Sequence, residues 1–289
     1  MPRPFKPIAV ALCAAVTLLL AACSAPSTGT SATPSAPTSS ASTDVKTLTV
    51  SPGKLTIATG KPAYSPWVED DKPEDGKGFE AAVAYAVAEK LGFAKADVVW
   101  TRTTFDEAIA PGPKQWDFNL QQFSITDERK RAVDFSSSYY TTSQAVLTYD
   151  GSKVTGATTV AALKDAALGV AIGTTSQQAV ANQIAPTTQA KVFNSNEDAV
   201  QALKAKQIDA IVVDLPTALY LSAAVIDNGK IIGTLADSAG GDEFGLVLAK
   251  GSQLTAPVTA AVDALRTDGT LTTLQTEWLS TSIDVPVLQ

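Results

Sequence analysis

The chain has 289 residues, with 22 lysines and arginines against 29 aspartates and glutamates, two cysteines and no histidine. An acidic chain without a long basic run is a poor candidate for nucleic-acid binding, which needs clustered lysine and arginine. The lack of histidine excludes histidine-dependent catalytic triads, and with so few cysteines it also excludes most zinc sites. We therefore expect no metal, no cofactor and no nucleic-acid partner.

The first residues are typical of a secretory signal. Two basic residues precede an apolar run over residues 8–20, and the run ends in Leu20-Ala21-Ala22-Cys23. The run is too short to cross a bilayer comfortably as a helix. The tetrad resembles a bacterial lipobox, which implies that residues 1–22 are a lipoprotein signal peptide and that Cys23 receives the lipid. The alternative is a plain signal peptide with an incidental cysteine.

Removal of such a signal peptide changes both cysteine content and charge. Cys13 leaves with it, so the mature chain keeps one cysteine and forms no internal disulfide. Loss of Arg3 and Lys6 reduces the basic residues from 22 to 20 against 29 acidic ones, a net charge of −9. A domain without disulfides must be stabilised by packing, and roughly 240 residues in two lobes are enough for that.

The segment after Cys23 is rich in Ser, Thr, Ala and Pro and has no charged residue before Asp44. Such a segment cannot bury enough apolar surface to offset its ordering entropy. We predict that residues 23–50 are a lipidated cysteine and a flexible linker. A sugar-carrying, mucin-like stalk is the alternative.

The next part of the chain alternates strand and helix patterns. Phe79, Val83, Val87 and Leu91 recur at helical spacing, and Gly92 is placed to end the helix. The patterns predict strands over 54–59, 98–101 and 118–123, a helix over 79–91 and a short helical turn over 105–110. This alternation predicts βαβ units around a parallel sheet.

A second alternating block begins near Thr158. Its predicted strands cover 168–172, 191–193 and 210–213. Its predicted helices cover 159–164 and 196–206, the latter with Asn196 as cap, and two more begin at Ser176 and after Pro216. Strands over 144–149 and 244–248 connect the blocks, and helices over 254–266 and 271–279 come last. We predict an α/β fold in which residues 51–146 and 246–289 form lobe one and residues 147–245 form lobe two.

The most informative stretch, residues 119–140, joins an apolar run to a helix start. Thr126 is a suitable N-cap, and the remaining N–H groups of the first turn favour an anion together with the helix dipole. Arg129 adds a planar fork of donors that matches a carboxylate. The alternative is an ordinary capped helix whose Arg129 pairs with Asp127 or Asp134 at the surface.

The order Ser-Ile-Thr, an acid, Glu-Arg, Val-Asp-Phe-Ser and Tyr-Tyr in this stretch is similar to the signature of solute-binding protein family 3, the polar amino-acid-binding proteins of ABC importers. The resemblance extends over residues from about 54 to 279. It implies a two-lobe periplasmic-binding-protein-like fold of type II, with two mixed sheets joined by two hinge strands. It also implies that Arg129 binds the α-carboxylate of the ligand, with Ser124 and Thr126 beside it.

Two positions in lobe two are candidates for the same ligand. Asp214 ends an apolar strand, and ligands of open α/β sheets lie beyond such strand ends. It could instead cap the following helix, in which Pro216 stands early. The resemblance implies that Asp214 binds the ligand's ammonium group and that Thr175 lies near its carboxylate. Taken alone, the turn Gly173-Thr174-Thr175 is more typical of an ordinary helix start.

Aromatic residues are candidates for the walls of the ligand pocket. Residues 61–67 resemble the family's aspartate-Pro-Ala-Tyr-Pro-Pro-Phe turn, which implies that Tyr64 and Phe105 wall the side-chain pocket. Packing of these rings against the helix at Phe79 is the alternative. Trp67 and Phe123 are predicted to be core residues.

Two departures from the family pattern bear on specificity. Lys61 stands where many members have an aspartate, and Gln122 stands where many have a glycine whose backbone contacts the ammonium group. We predict that Lys61 disfavours cationic ligands and permits acidic or neutral ones. The alternative is that Lys61 points to solvent, as single lysines usually do.

Together these features predict a monomeric, extracytoplasmic binding protein, anchored to the outer face of the cell membrane by lipid on Cys23, rather than an enzyme. It would close its lobes on a free amino acid and deliver that amino acid to the permease subunits of an ABC transporter. One rival is a ligand-reporting sensor lipoprotein with the same lobes. Another is a dehydratase-like enzyme in which Glu80 or Glu243 is the general acid.

Overall fold

A computed structural model describes residues 44–236, 241–279 and 284–289. The predicted signal peptide, Cys23 and most of the predicted linker lie outside these ranges. None of the helices inside them has the length and apolar character that a membrane span requires.

Lobe one is built on a five-stranded mixed sheet. Its strands are β1 (Leu55–Gly60), β2 (Val98–Thr103), β3 (Phe118–Asn119), β4 (Val133–Thr142) and β10 (Asp242–Ala249), and its helices are α1 (Phe79–Lys90), α2 (Phe105–Ile109), α3 (Asp127–Lys130), α7 (Thr255–Thr267) and α8 (Thr270–Trp278). The strand order is β2-β1-β3-β10-β4. Strand β1 is parallel to β2 and β3, whereas β10 is antiparallel to β3 and β4.

Helix α1 anchors the core of lobe one. Phe79, Val83 and Val87 recur at helical spacing and are fully buried in the same cluster as residues of α7 and α8. At the helix start, Gly78 has a φ of 96°, and a Cβ there would lie 2.6 Å from the carbonyl oxygen of Trp67. Only glycine permits this approach. The turn that carries Trp67 is therefore held directly against the start of α1.

Lobe two is built on a second five-stranded mixed sheet. Its strands are β5 (Gln144–Tyr149), β6 (Leu168–Ala171), β7 (Lys191–Phe193), β8 (Ala210–Asp214) and β9 (Gly229–Thr234), and its helices are α4 (Thr175–Ala179), α5 (Asn196–Lys204) and α6 (Leu215–Tyr220). The strand order is β7-β6-β8-β5-β9. Each of α4 and α6 continues into one π-helical turn.

The chain crosses between the two sheets twice, as the family resemblance implies. The chain enters lobe two as β4 gives way to β5, and it returns to lobe one as β10 follows β9. Strands β6 and β8 are parallel, whereas β5 is antiparallel to both of its neighbours. The predicted fold class, with two mixed α/β sheets joined at two strand crossings, is confirmed.

The two ends of the described chain differ from the predicted boundaries. Val45–Thr47 form a 3₁₀ turn, and Val45 packs on the core of lobe one, so ordered structure begins before residue 51. Residues 284–289 were expected in lobe one, but Leu288 is buried in the core of lobe two. There, its N–H donates to the carbonyl of Thr234 at 2.9 Å. An apolar side chain and a free strand edge explain this docking.

Several local predictions also differ from the structure. Strand β3 ends at Asn119 rather than at 123, and the left-handed φ of 52° at Gln122 interrupts the extended backbone before Phe123. The cap of α5 is Ser195 rather than Asn196, since its Oγ accepts from the N–H of Asp198 at 3.1 Å. No pattern predicts β4 or β9. In β4 every third residue is buried, not every second, so the usual strand alternation is missing.

Candidate ligand-binding cleft

A cavity of about 130 Å³ lies between the lobes, at the carboxyl ends of the parallel strands. This is well below the ~300–1,000 Å³ that is typical of sites for drug-sized ligands, so the cavity suits a single small solute. Most of the predicted site residues line it: Lys61, Tyr64, Phe105, Gln122, Arg129, Thr175 and Asp214. Ser124 and Thr126 do not line it, but each contacts a residue that does.

Arg129 is the buried cation in the lining of the cleft. Its side chain is 7% exposed, and its two terminal nitrogens donate to the carbonyl of Ser124 at 2.7 Å and to the carbonyl of Gly173 at 3.0 Å. Its guanidinium carbon lies 5.2 Å from the centroid of the Phe105 ring. Thr126 caps α3 as predicted, since its Oγ1 accepts from the N–H of Arg129 at 3.1 Å. A guanidinium has five N–H donors, so these bonds leave capacity for a carboxylate.

The alternative of a surface ion pair for Arg129 is wrong. Asp127 pairs with Lys130 at 3.7 Å, and Asp134 pairs with Lys250 at 3.0 Å. Burial lowers the pKa of Arg129, while the nearby carboxylates of Asp242 and Asp214 oppose that effect.

Contacts between Ser124 and lobe two cross the cleft. Ser124 Oγ lies 3.2 Å from Thr175 Oγ1, and Thr175 Oγ1 donates to Asp242 Oδ2 at 2.7 Å. The turn before α4 is less open to an anion than predicted, because the N–H of Gly173 already donates to Gln177 Oε1 at 2.8 Å. Thr175 thus connects Ser124, whose carbonyl accepts from Arg129, with the carboxylate of Asp242.

Asp214 lies at the end of β8, opposite Arg129 in the cleft lining. Asp214 occupies the N-cap position of α6, as the alternative expected, but its side chain makes no capping hydrogen bond. Instead, Gln144 Nε2 donates to Asp214 Oδ1 at 2.8 Å and to Asp242 Oδ2 at 2.7 Å. Burial, and then the charge of Asp242, raises the pKa of Asp214 to about 7. The side-chain amide of Gln144 thus donates to the carboxylates of both Asp214 and Asp242.

Gln144 and Asp242 are site residues that sequence reasoning missed. They are the first residues of β5 and β10, the two strands that follow the lobe crossings. A polar residue at the start of an otherwise apolar crossing strand is the signal that could have identified them. Ser176 Oγ donates to Gln144 Oε1 at 2.6 Å and fixes the direction of the amide.

Glu80 is a second buried acid in the cleft wall, 1% exposed. Its Oε1 accepts from the backbone N–H of Gln122 at 2.7 Å and from the hydroxyl of Tyr139, and its Oε2 accepts from the side-chain amide of Gln122. Burial raises the pKa of Glu80 to about 7. Glu243, the other acid proposed for an enzymatic role, is exposed and lines a groove on lobe one outside this cleft.

The aromatic walls are partly as predicted. Tyr64 and Phe105 are half-buried and line the cavity, and Phe105 stacks on the fully buried Phe123 with ring centroids 4.7 Å apart. Trp67 is a core residue as predicted, yet it also lines the cavity, and its Nε1 donates to Thr217 Oγ1 of lobe two at 2.9 Å. Lys61 is exposed at the rim of the cavity.

Comparison with known proteins agrees with this architecture. The Pseudomonas aeruginosa L-arginine-binding protein is 31% identical over 242 residues, 78% of this chain and 90% of that protein. An ancestral arginine-binding protein solved with bound arginine is 30% identical, with a TM-score of 0.66 over 79% of this chain and 99% of that one. An ancestral amino-acid-binding protein described as a precursor of cyclohexadienyl dehydratase is 29% identical, with a TM-score of 0.65 over 79% of this chain and 96% of that one.

The family assignment rests on most of the chain. Residues 55–281 match the family described as bacterial extracellular solute-binding proteins, family 3. That range includes both sheets and every residue of the cleft named above. The chain is therefore a member of the bacterial extracellular solute-binding proteins, family 3.

Proposed function

We propose that this protein captures a free amino acid between its two lobes and delivers it to the permease of an ABC transporter. The observation that carries this proposal is one small cavity lined by the guanidinium of Arg129 from lobe one and the carboxyl group of Asp214 from lobe two. Arg129 would bind the α-carboxylate of the ligand, and Asp214, with Asp242 behind it, would bind the ammonium group. A zwitterion is the smallest solute that satisfies both.

The mechanism follows from how these groups are divided. Because Arg129 and Asp214 belong to different lobes, an amino acid contacts both only when the lobes are together, so ligand binding favours the closed state. A micromolar site needs about 8 kcal/mol, which several charge-assisted hydrogen bonds and desolvated aromatic walls can supply after their costs. Ser124 and Thr175 would stabilise closure through their contact across the cleft.

The location of the protein is part of the same proposal. A signal peptide over residues 1–22 and a lipid on Cys23 would tether the monomer to the outer face of the cell membrane through the linker. Lobe one would comprise β1 to β4 with β10, α7 and α8, and lobe two β5 to β9 with the docked C-terminus, so the predicted limits at residues 146 and 246 move to the first residues of β5 and β10. The closed, loaded lobes are the form that a permease would recognise.

A thermal-shift screen of the purified protein against the common amino acids tests the binding step. A ligand at 100 times its Kd adds about 2.7 kcal/mol of stability, which is a readily measured increase in melting temperature. At least one amino acid should give such an increase, and calorimetry should find one site per chain. The proposal fails if no amino acid changes the melting temperature.

Uptake of the radiolabelled ligand tests the transport step. Deletion of the gene should abolish high-affinity uptake. Intact uptake with an altered response to the amino acid would instead favour the ligand-reporting sensor.

Glu80 supports a second candidate function, a dehydratase-like activity. This acid lies in the cleft wall with its pKa raised to about 7, a value suited to a general acid. One similar solved protein is described as a precursor of a dehydratase. Incubation of purified protein with prephenate-like substrates, with Glu80→Gln as control, decides the matter: turnover by the parent and none by the variant would support the enzyme.

A further inference from the structure

The contact between Glu80 and Gln122 in the cavity wall bears on which ligand side chains the cleft accepts. Glu80 lines the cavity but is only 1% exposed, while Gln122, which also lines it, is half-buried. The Gln122 backbone N–H donates to Glu80 Oε1 at 2.7 Å, and its side-chain amide donates to Oε2. Gln122 thus donates a hydrogen bond to each oxygen of the Glu80 carboxylate.

The backbone of Gln122 is in a conformation that favours glycine. Its φ is 52°, in the left-handed region, which costs free energy for a residue with a branched or long side chain. Glycine could give Glu80 the same backbone N–H without that cost. What glutamine adds at this position is the side-chain amide on Glu80 Oε2.

In the described part of the chain, no lysine or arginine forms an ion pair with Glu80. The groups that face it are the hydroxyl of Tyr139, the amides of Gln122 and the carboxylate of Asp214. If the Gln122 side chain were removed, Oε2 would be an unpaired acceptor in the cavity wall. The partner that best satisfies a desolvated carboxylate is a cation that donates hydrogen bonds.

We propose that Gln122 determines the class of ligand by occupying Glu80, so that the cleft accepts amino acids with uncharged side chains and rejects those with cationic ones. This inference rests on the proposed amino-acid-binding function and extends it to the side chain. Lys61, exposed at the cavity rim, adds charge of the sign that repels a cationic side chain. Without the Gln122 amide, this cleft would present Glu80 Oε2 to a guanidinium or ammonium group of the ligand.

The test is calorimetry of the purified protein and of Gln122→Gly with L-arginine, L-lysine and the neutral amino acids. The readout is the Kd for L-arginine divided by the Kd for the tightest neutral amino acid. The parent should prefer a neutral amino acid, and Gln122→Gly should lower the ratio at least tenfold. The double variant Glu80→Gln with Gln122→Gly should restore it, because a neutral amide no longer attracts a cation.

Two further variants separate specificity from folding. Ala185→Gly relieves another left-handed residue, φ 47°, on the exposed surface outside the cleft, and it should leave the ratio unchanged. Gln122→Asn keeps an amide and tolerates the left-handed backbone, but it is too short to cover Oε2 in the same way. It should shift the ratio in the same direction as glycine, by less.

The outcomes distinguish this inference from the function on which it rests. Tightest binding of arginine or lysine by the parent, or a ratio within twofold of the parent in Gln122→Gly, overturns the role of Gln122 and leaves amino-acid binding intact. No binding of any amino acid by the parent overturns both. A tenfold shift that persists in the double variant also overturns it, because Glu80 would then not be the acceptor.

Discussion

At the scale of single residues, Arg129 connects the two lobes. Its guanidinium is bonded to a carbonyl of its own lobe, at Ser124, and to a carbonyl of the other lobe, at Gly173. The second of these hydrogen bonds forms only when the lobes are together. The same side chain that would bind the ligand's carboxylate therefore also helps to close the cleft.

Replacement of Arg129 by alanine is expected to abolish tight binding. Removal of one partner of a buried, charge-assisted pair costs about 2–5 kcal/mol, which corresponds to roughly 30- to 5,000-fold in Kd. Arg129→Lys is the control: it keeps the charge but loses the planar fork, so we expect an intermediate loss. Calorimetry with the ligand found by screening measures both. Unchanged affinity in Arg129→Ala would contradict the carboxylate role.

Two elements meet across the cleft through a single hydrogen bond. The turn before α1 carries Trp67, whose Nε1 donates to Thr217 Oγ1 in the first turn of α6 at 2.9 Å. Both residues are buried, so the indole N–H has no access to water in the closed form. Closure therefore depends on an acceptor at position 217.

Thr217→Val should weaken ligand binding without unfolding the protein. Valine keeps the shape and removes the acceptor, and an unsatisfied buried donor costs about 1–3 kcal/mol. That cost falls on the closed state, so the Kd should rise by roughly 5- to 150-fold. Thr217→Ser keeps the hydroxyl and should bind almost as the parent does. Equal affinities of the valine and serine variants would show that this bond does not contribute to closure.

At the scale of the whole molecule, the C-terminus connects the lobes a third time. Leu279 is buried in the core of lobe one, and Leu288 is buried in the core of lobe two. A Cβ on Gly233 would lie 2.7 Å from the Leu288 side chain, so the glycine makes room for it. The last residues are thus part of the fold of lobe two.

Leu288→Ala is expected to lower the free energy of unfolding by about 2–5 kcal/mol, the range for large-to-small changes in a core. Val287 is the matched control, because it is adjacent and 50% exposed. Val287→Ala should change stability by no more than about 0.5 kcal/mol. Urea denaturation measures both. Similar midpoints for the two variants would mean that the C-terminus does not stabilise lobe two.

The acids of the cleft make stability depend on pH. Burial raises the pKa of Glu80 from 4.5 to about 7 and that of Asp214 from 3.8 to about 7. Because the folded state holds these protons more tightly than the unfolded chain, their contribution to stability is full below about pH 4 and is lost as pH rises through about 7. The melting temperature without ligand should fall between about pH 5 and pH 8, and Glu80→Gln should reduce that fall.

Ligand affinity should change with pH in the opposite direction. An ammonium group pairs with ionised Asp214, so binding lowers the pKa of this carboxyl and releases a proton. The Kd should therefore decrease as pH rises from about 5.5 to 8, and calorimetry in buffers of different ionisation heat should detect the released proton. A Kd independent of pH would contradict the pairing of Asp214 with the ligand.

Local patterns in the sequence were enough to predict much of the fold and several residues of the site. Helical spacing along residues 79–91, the strand-to-helix turn at Thr126 and the strand end at Asp214 depend on neighbours within a few positions, and each is found where it was predicted. The alternating blocks likewise predicted two α/β lobes. These features follow from backbone hydrogen bonding and side-chain periodicity, which short segments encode.

Only the tertiary structure decided which groups meet in the cleft. The Gln122 bond to Glu80 spans 42 positions, and the bonds of Gln144 to Asp214 and Asp242 span 70 and 98 positions. The docking of Leu288 on lobe two includes a hydrogen bond to Thr234, which lies 54 positions earlier in the chain. Such pairs depend on how two sheets cross and pack, and no local pattern carries that information. The sequence alone determined that an arginine and an aspartate are presented at element ends, whereas folding determined that they face one small cavity.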